Sequence, residues 1–175
     1  MVSYNTNFNS STGRKPVAPP KPAPVKKAPP VMPKVQTGMG FSLSAKDEAH
    51  LKKVHPDLAR IIRRAAADWS HDGQVFFITC SLRTLDEQKA LVARGASKTL
   101  RSRHLPGRMT GLSHAIDLAV KVDGKLSWDW PLYSQLAKAV KAAAKAENLS
   151  IEWGGDWRTF KDGPHYQLPW AKYPG

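Results

Sequence analysis

The sequence predicts an α+β domain, because helices and short strands alternate along it without a regular βαβ repeat. Two further observations carry that prediction. Ser44 with Asp47, and Thr84 with Glu87, each form a capping-box signature that opens a helix. Short β-rich runs such as Val75-Phe76-Phe77-Ile78-Thr79 are bounded by Gly and Asp turns. A small antiparallel sheet flanked by helices is the expected architecture.

In chain order, the first helix runs from Ser44 to about Val54 and is broken by His55-Pro56. Leu58, Ile61, Ile62, Ala65, Ala66 and Trp69 recur at helical spacing and predict an amphipathic helix over 56–69. His71-Asp72-Gly73 is a turn, and 75–79 is a buried strand. Thr84 opens a helix through Gln88, Leu91 and Val92 that stops at Gly95, a natural residue just past a helix end. Residues 96–113 read as a long loop, and loops of that length in a compact domain usually serve function. Residues 115–122 form a strand, and Asp123-Gly124 is a hairpin turn. Pro131 suits the first turn of a long helix over 131–147, which buries Leu132, Leu136, Ala139, Val140 and Ala143. Ile151-Glu152-Trp153 and Tyr166-Gln167-Leu168 are the final strands.

Residues 1–40 differ in kind. They hold eight of the 14 prolines, six basic residues and no acidic one. Proline fixes φ and removes backbone donors, so this stretch is expected to be an extended, disordered, cationic arm or linker. The whole chain of 175 residues carries 27 Lys+Arg against 14 Asp+Glu, a formal net charge of +13. Such a balance favours polyanions, and contact of the arm with an anionic envelope is the partner it suggests. A basic nucleic-acid binder is the reading from another class. The densest basic stretch is a proline-rich tail and no nucleic-acid motif is present, so no specific nucleic acid is expected. Cys80 is the single cysteine, which excludes an internal disulfide and suits a thiol buried after a strand. No apolar run approaches the ~18 residues of a membrane span. No secretory signal core is apparent at the N-terminus, so if the protein acts outside the cytoplasm something else is expected to release it there. A monomer is expected.

The chemistry lies in three segments: Ser102-Arg103-His104, then His114-Ala115-Ile116-Asp117, then Asp162-Gly163-Pro164-His165. Catalytic zinc takes three protein ligands and leaves a fourth position to water. His104, Asp117 and His165 supply such a set, and Asp162 supplies a carboxylate for proton transfer. On a regular strand residues three apart face opposite sides, so Gly163-Pro164 must turn the chain for Asp162 and His165 to share a cavity.

These segments resemble those of the zinc peptidases that include D-alanyl-D-alanine carboxypeptidases and phage L-alanyl-D-glutamate endolysins. That family carries Ser-x-His, Ala-x-Asp and Asp/Glu-x-x-His, here Ser102–His104, Ala115–Asp117 and Asp162–His165. Arg83-Thr84-Leu85-Asp86-Glu87-Gln88 and Gly154-Gly155-Asp156-Trp157 are similar to two supporting motifs of the endolysin branch. The resemblance covers about residues 43–170 and implies a hedgehog/DD-peptidase-like fold with a Zn2+ cofactor. It implies hydrolysis of the L-alanyl-D-glutamate bond in the peptidoglycan stem peptide, with D-alanyl-D-alanine carboxypeptidase as the alternative. It also implies that Arg83 pairs with a substrate carboxylate, that Ser102 holds the loop or substrate, and that Trp153, Asp156 and Trp157 line the cleft. One departure stands out. The family places the aspartate seven residues after the first histidine, whereas His104 and Asp117 are thirteen apart, with an insertion over about 106–111. His114 therefore competes with His104 as a ligand; the intact Ser102-Arg103-His104 favours His104.

Overall fold

The computed structural model describes residues 40–174. The expected cationic arm, apart from Gly40, lies outside the described residues. The elements are α1 (Ala45–Leu51), α2 (Pro56–Ala67), β1 (Gln74–Cys80), α3 (Leu85–Ala93), β2 (Ala115–Val122), β3 (Lys125–Ser127), α4 (Trp130–Ala146), β4 (Glu152–Trp153) and β5 (His165–Gln167). The strands form one antiparallel sheet in the order β1-β2-β5-β4, with β3 hairpinned onto β2. This is the α+β architecture that the sequence predicts.

Both capping boxes form. Ser44 and Thr84 each accept from a backbone N–H three residues on, and the carboxylates of Asp47 and Glu87 return the bond. Asp47 does more than cap α1. Its Oδ1 accepts from the Ile78 amide at 2.7 Å, beside the irregularity where the β1–β2 register shifts between Ile78 and Cys80. Helix α1 is thereby tied to the strand end nearest the chemistry. Asp123 and Gly124 both have positive φ, 49° and 76°, which is the backbone that a two-residue hairpin requires.

The core is built from the predicted faces. Leu58, Ile61, Ile62 and Ala65 of α2 meet Leu136, Val140 and Ala143 of α4 above Phe76, Ile78, Ile116, Leu118 and Val120 of the sheet. The first helix is shorter than expected, because the chain leaves it to pair with the segment entering β2. Val54 bridges Ser113, the His55 amide donates to Ser113 O, and the Ser113 amide donates to Lys53 O. Trp69 falls beyond α2 but stays buried, and its indole donates to Gln74 O at 2.8 Å.

Candidate active site

Asp117 is the third residue of β2. It is opposite Cys80 on β1 and opposite His165 on β5, so register alone brings these side chains together. His104 arrives from the long loop between α3 and β2. Four hydrogen bonds fix it there. Its own amide donates to Ser102 Oγ, its carbonyl accepts from the Arg83 amide, its Nδ1 meets Ser81 O at 2.7 Å, and the His114 amide anchors the neighbouring Arg103 carbonyl.

The result is a triangle. His104 Nε2 lies 3.2 Å from Asp117 Oδ1 and 3.2 Å from His165 Nδ1, and His165 Nδ1 lies 3.1 Å from Asp117 Oδ1. Ligands about 2.0–2.1 Å from a tetrahedral zinc stand about 3.3 Å apart, so the triangle fits such an ion. The tautomers fit as well. Ser81 O can only accept, so His104 keeps a proton on Nδ1, and Nε2 is the nitrogen its neutral form leaves bare for a metal. Gln167 Nε2 donates to Glu152 Oε2 at 2.7 Å, which turns Gln167 Oε1 toward His165 Nε2 at 3.1 Å. His165 therefore donates from Nε2 and presents a bare Nδ1.

Cys80, His104 and Asp117 also form a group whose ligand atoms lie within 4.8 Å of one another and could hold a metal ion. Cys80 Sγ approaches His104 at Nδ1, 3.8 Å away, the nitrogen already committed to Ser81 O. The donor set facing one point is that of His104, Asp117 and His165.

Electrostatics agree with a site built for a cation. Burial opposes a charge on Asp117, but His104 and His165 outweigh it and hold the carboxyl well below its usual range. Burial likewise opposes a charge on His104, and Asp117 overcomes it and pushes the imidazole up. Asp162 behaves oppositely: burial and then the Asp117 carboxylate push it above the ordinary carboxylate range.

The triangle and Asp162 line a cleft of about 340 Å³. Arg83, Ser102, Trp157 and Phe160 line it too. Arg83 is held by Gln88, to which Nη1 donates at 2.7 Å, and its Nη2 lies 3.2 Å from Cys80 Sγ and 4.0 Å from Asp117 Oδ2. Gln88 is fully buried and also donates to Ser97 Oγ and Thr99 O. The Arg-Thr-x-x-Glu-Gln motif is thus a helix cap plus a clasp on the long loop. The Trp157 ring lies tilted by 48° against His165, with ring centroids 5.0 Å apart.

Two expected cleft residues stand elsewhere. Trp153 is buried, and its indole donates to Gly163 O at 2.7 Å, supporting the turn after Asp162. Asp156 is exposed and paired with Lys141 at 2.6 Å. Trp153 belongs to β4 and is buried, whereas Asp156 ends the 3-10 turn Gly154–Asp156 that follows and is exposed. His114 is not in the triangle. It is buried against His55 and opens on a different cavity, and burial, Arg103 and His55 hold its pKa down to about 4. Gln167 and Ser81 escaped sequence reasoning. Gln167 lies two residues after His165, on the same face of a strand, and that period is the signal that could have found it.

Fold and cleft together define a peptidase-type enzyme domain. Residues 39–167 match the model of the phage L-alanyl-D-glutamate peptidase family, and the chain belongs to that family. It is 40% identical over 118 residues to an L-alanyl-D-glutamate peptidase of Listeria phage A118, a match covering 67% of this chain but only 39% of that relative. It is 28% identical over 141 residues to the L-alanyl-D-glutamate peptidase of Escherichia phage T5, covering 78% of this chain and 96% of the relative. Among solved structures, the Serratia marcescens L-Ala D-Glu endopeptidase ChiX superposes with a TM-score of 0.67 at 42% identity, covering 75% of this chain and 92% of ChiX.

Proposed function

We propose that this protein is a zinc endopeptidase that hydrolyses the L-alanyl-D-glutamate amide of the peptidoglycan stem peptide and lyses bacterial cells as an endolysin. The observation that carries the reading is the triangle of two bare imidazole nitrogens and one carboxylate oxygen, 3.1–3.2 Å on each side. Two nitrogens and one oxygen suit zinc among the divalent metals. The names of the family and of its relatives support the choice of bond.

Zinc in that position supplies a polarised carbonyl and a water of lowered pKa. The remaining work falls to side chains. Asp162 takes the proton from the attacking water and returns it to the leaving amine. A raised pKa suits that task, since it makes the carboxylate a stronger base. Arg83 offers a guanidinium to a substrate carboxylate, and Gln88 keeps it aimed. Trp157 and Phe160 wall the groove, and Ser102 braces the His104 loop. Trp153 acts from below by holding the turn that carries Asp162. In this reading the enzyme waits in the host cytoplasm and meets the wall on release. Among the described residues no helix is long and apolar enough to cross a membrane.

The test combines metal analysis of the purified chain with mass spectrometry of digested muropeptides. One zinc per chain, loss of wall clearing with a chelator, and new D-glutamate amino termini are expected. A fully active metal-free protein, unchanged lysis by His104→Ala, or release of terminal alanine alone would overturn the reading.

A further inference from the structure

Beyond the cleft lies a second cavity of about 460 Å³. Its walls come from the loop before His104 and from the insertion at 106–111. Arg101, Arg103 and Arg108 line it, together with His114 and Trp170, and among the described residues no acidic one does. The Arg101 and Arg103 guanidinium carbons stand 4.3 and 4.2 Å from the centre of the Trp170 ring. Cation–π contact of this kind orders the arginines without neutralising them.

Arg103 is 4% exposed, yet neither terminal nitrogen meets a carboxylate. Nη1 donates to Tyr173 O and Nη2 to Leu168 O, each at 2.9 Å, and Nε has no partner. Among the described residues no carboxylate bonds this buried guanidinium directly and Glu152 acts on it only through space, so an arriving anion is favourable. Arg101 and Arg108 are exposed and free to close on such an anion.

The two cavities adjoin: Arg101, Ser102, Arg103 and Trp170 line both. A substrate seated with its scissile amide at the triangle therefore has the arginine cavity as its neighbour across the Trp170 wall.

We propose that this cavity is a second substrate subsite, which binds a carboxylate of the stem peptide lying outside the scissile bond. This deepens the endopeptidase reading and rests on it. The two sites divide the labour. Arg83 serves the carboxylate beside the reacting amide, and the Arg101–Arg108 pocket reads a further one, so the enzyme favours stem peptides whose distal carboxylate is free. The thirteen-residue interval from His104 to Asp117 thereby gains a purpose, since the inserted segment supplies Arg108 and one wall of the pocket.

The experiment uses the full zinc-loaded chain and two synthetic stem peptides, one with the distal carboxylate free and one with it as the carboxamide. The wild-type protein should show a KM about tenfold lower for the free acid, the scale of one charge-assisted hydrogen bond, with kcat alike for both. Arg108→Gln and Arg101→Gln should each erase most of that preference by raising KM for the acid alone, and the paired variant should not distinguish the peptides. Equal KM values in the wild type, or equal losses on both peptides in the variants, overturn the subsite while leaving the endopeptidase reading intact. Cleavage of neither peptide by the wild type overturns both.

Discussion

Two of the three side chains proposed as metal ligands come from paired strands, and the third comes from a loop. Asp117 and His165 are direct partners across β2 and β5, so their separation follows from ladder register. His104 has no ladder to hold it. Its position depends on side chains: Gln88 clasping the loop, Ser81 O orienting the ring, and Ser102 bracing the backbone. A site of this design has one half that survives unless the sheet unfolds and one half that can loosen while the sheet stands.

Gln88→Leu should separate the two halves most strongly. It leaves the Arg83 guanidinium and Thr99 O without their buried partner, at a cost of about 3 kcal/mol. The measurement is urea unfolding of the metal-free chain alongside zinc titration. Weakened zinc binding with an unchanged sheet signal is expected, and equal loss of both would merge the two regions into one. Gln167→Leu attacks the strand half instead. It frees His165 Nε2 from its acceptor, and changes of this kind around a ligand typically weaken metal binding by about tenfold to a hundredfold. Folding should stay close to wild type, because β5 keeps its backbone ladder. A zinc affinity equal to wild type would show that register alone sets the ring.

The smallest effect is a matter of pH. His104 has a raised pKa in the metal-free fold, so its pairing with Asp117 stabilises that form fully below about pH 6.5. This contribution fades as pH rises toward the raised value. Zinc competes with that same proton, so zinc binding strengthens as pH rises and releases a proton near neutrality. Thermal unfolding of the two forms between about pH 6.5 and 9 should therefore give slopes of opposite sign. Parallel slopes would place the proton elsewhere.

The same division governs how much of the molecule is legible in its amino-acid sequence. Strand β2 is legible to the residue, because alternation, a β-rich run and a two-residue turn all agree there. His165 and Asp162 are legible through the Gly-Pro turn between them. The loop is legible only as a loop. Its partners, Gln88 with Ser97 and Thr99, and Ser81 with His104, lie far apart in the chain and leave no periodic trace. Trp153 and Asp156 show the converse. Their motif points to the cleft, yet β4 buries Trp153 and the short 3-10 turn after it carries Asp156 out to Lys141. A small change of twist over three residues is invisible in composition. The role of Arg103 is equally hidden, since nothing in Ser-Arg-His reveals that the central residue is buried against two carbonyls.

Gly154 has the last consequence. A methyl group there would sit 2.5 Å from Asp162 O and 3.2 Å from the Cβ of His165. Two segments that follow separate paths are thus pressed together across a gap narrower than one carbon atom. The spacing between Asp162 and His165 is gauged by that emptiness: a hydrogen is the largest substituent that leaves it unchanged.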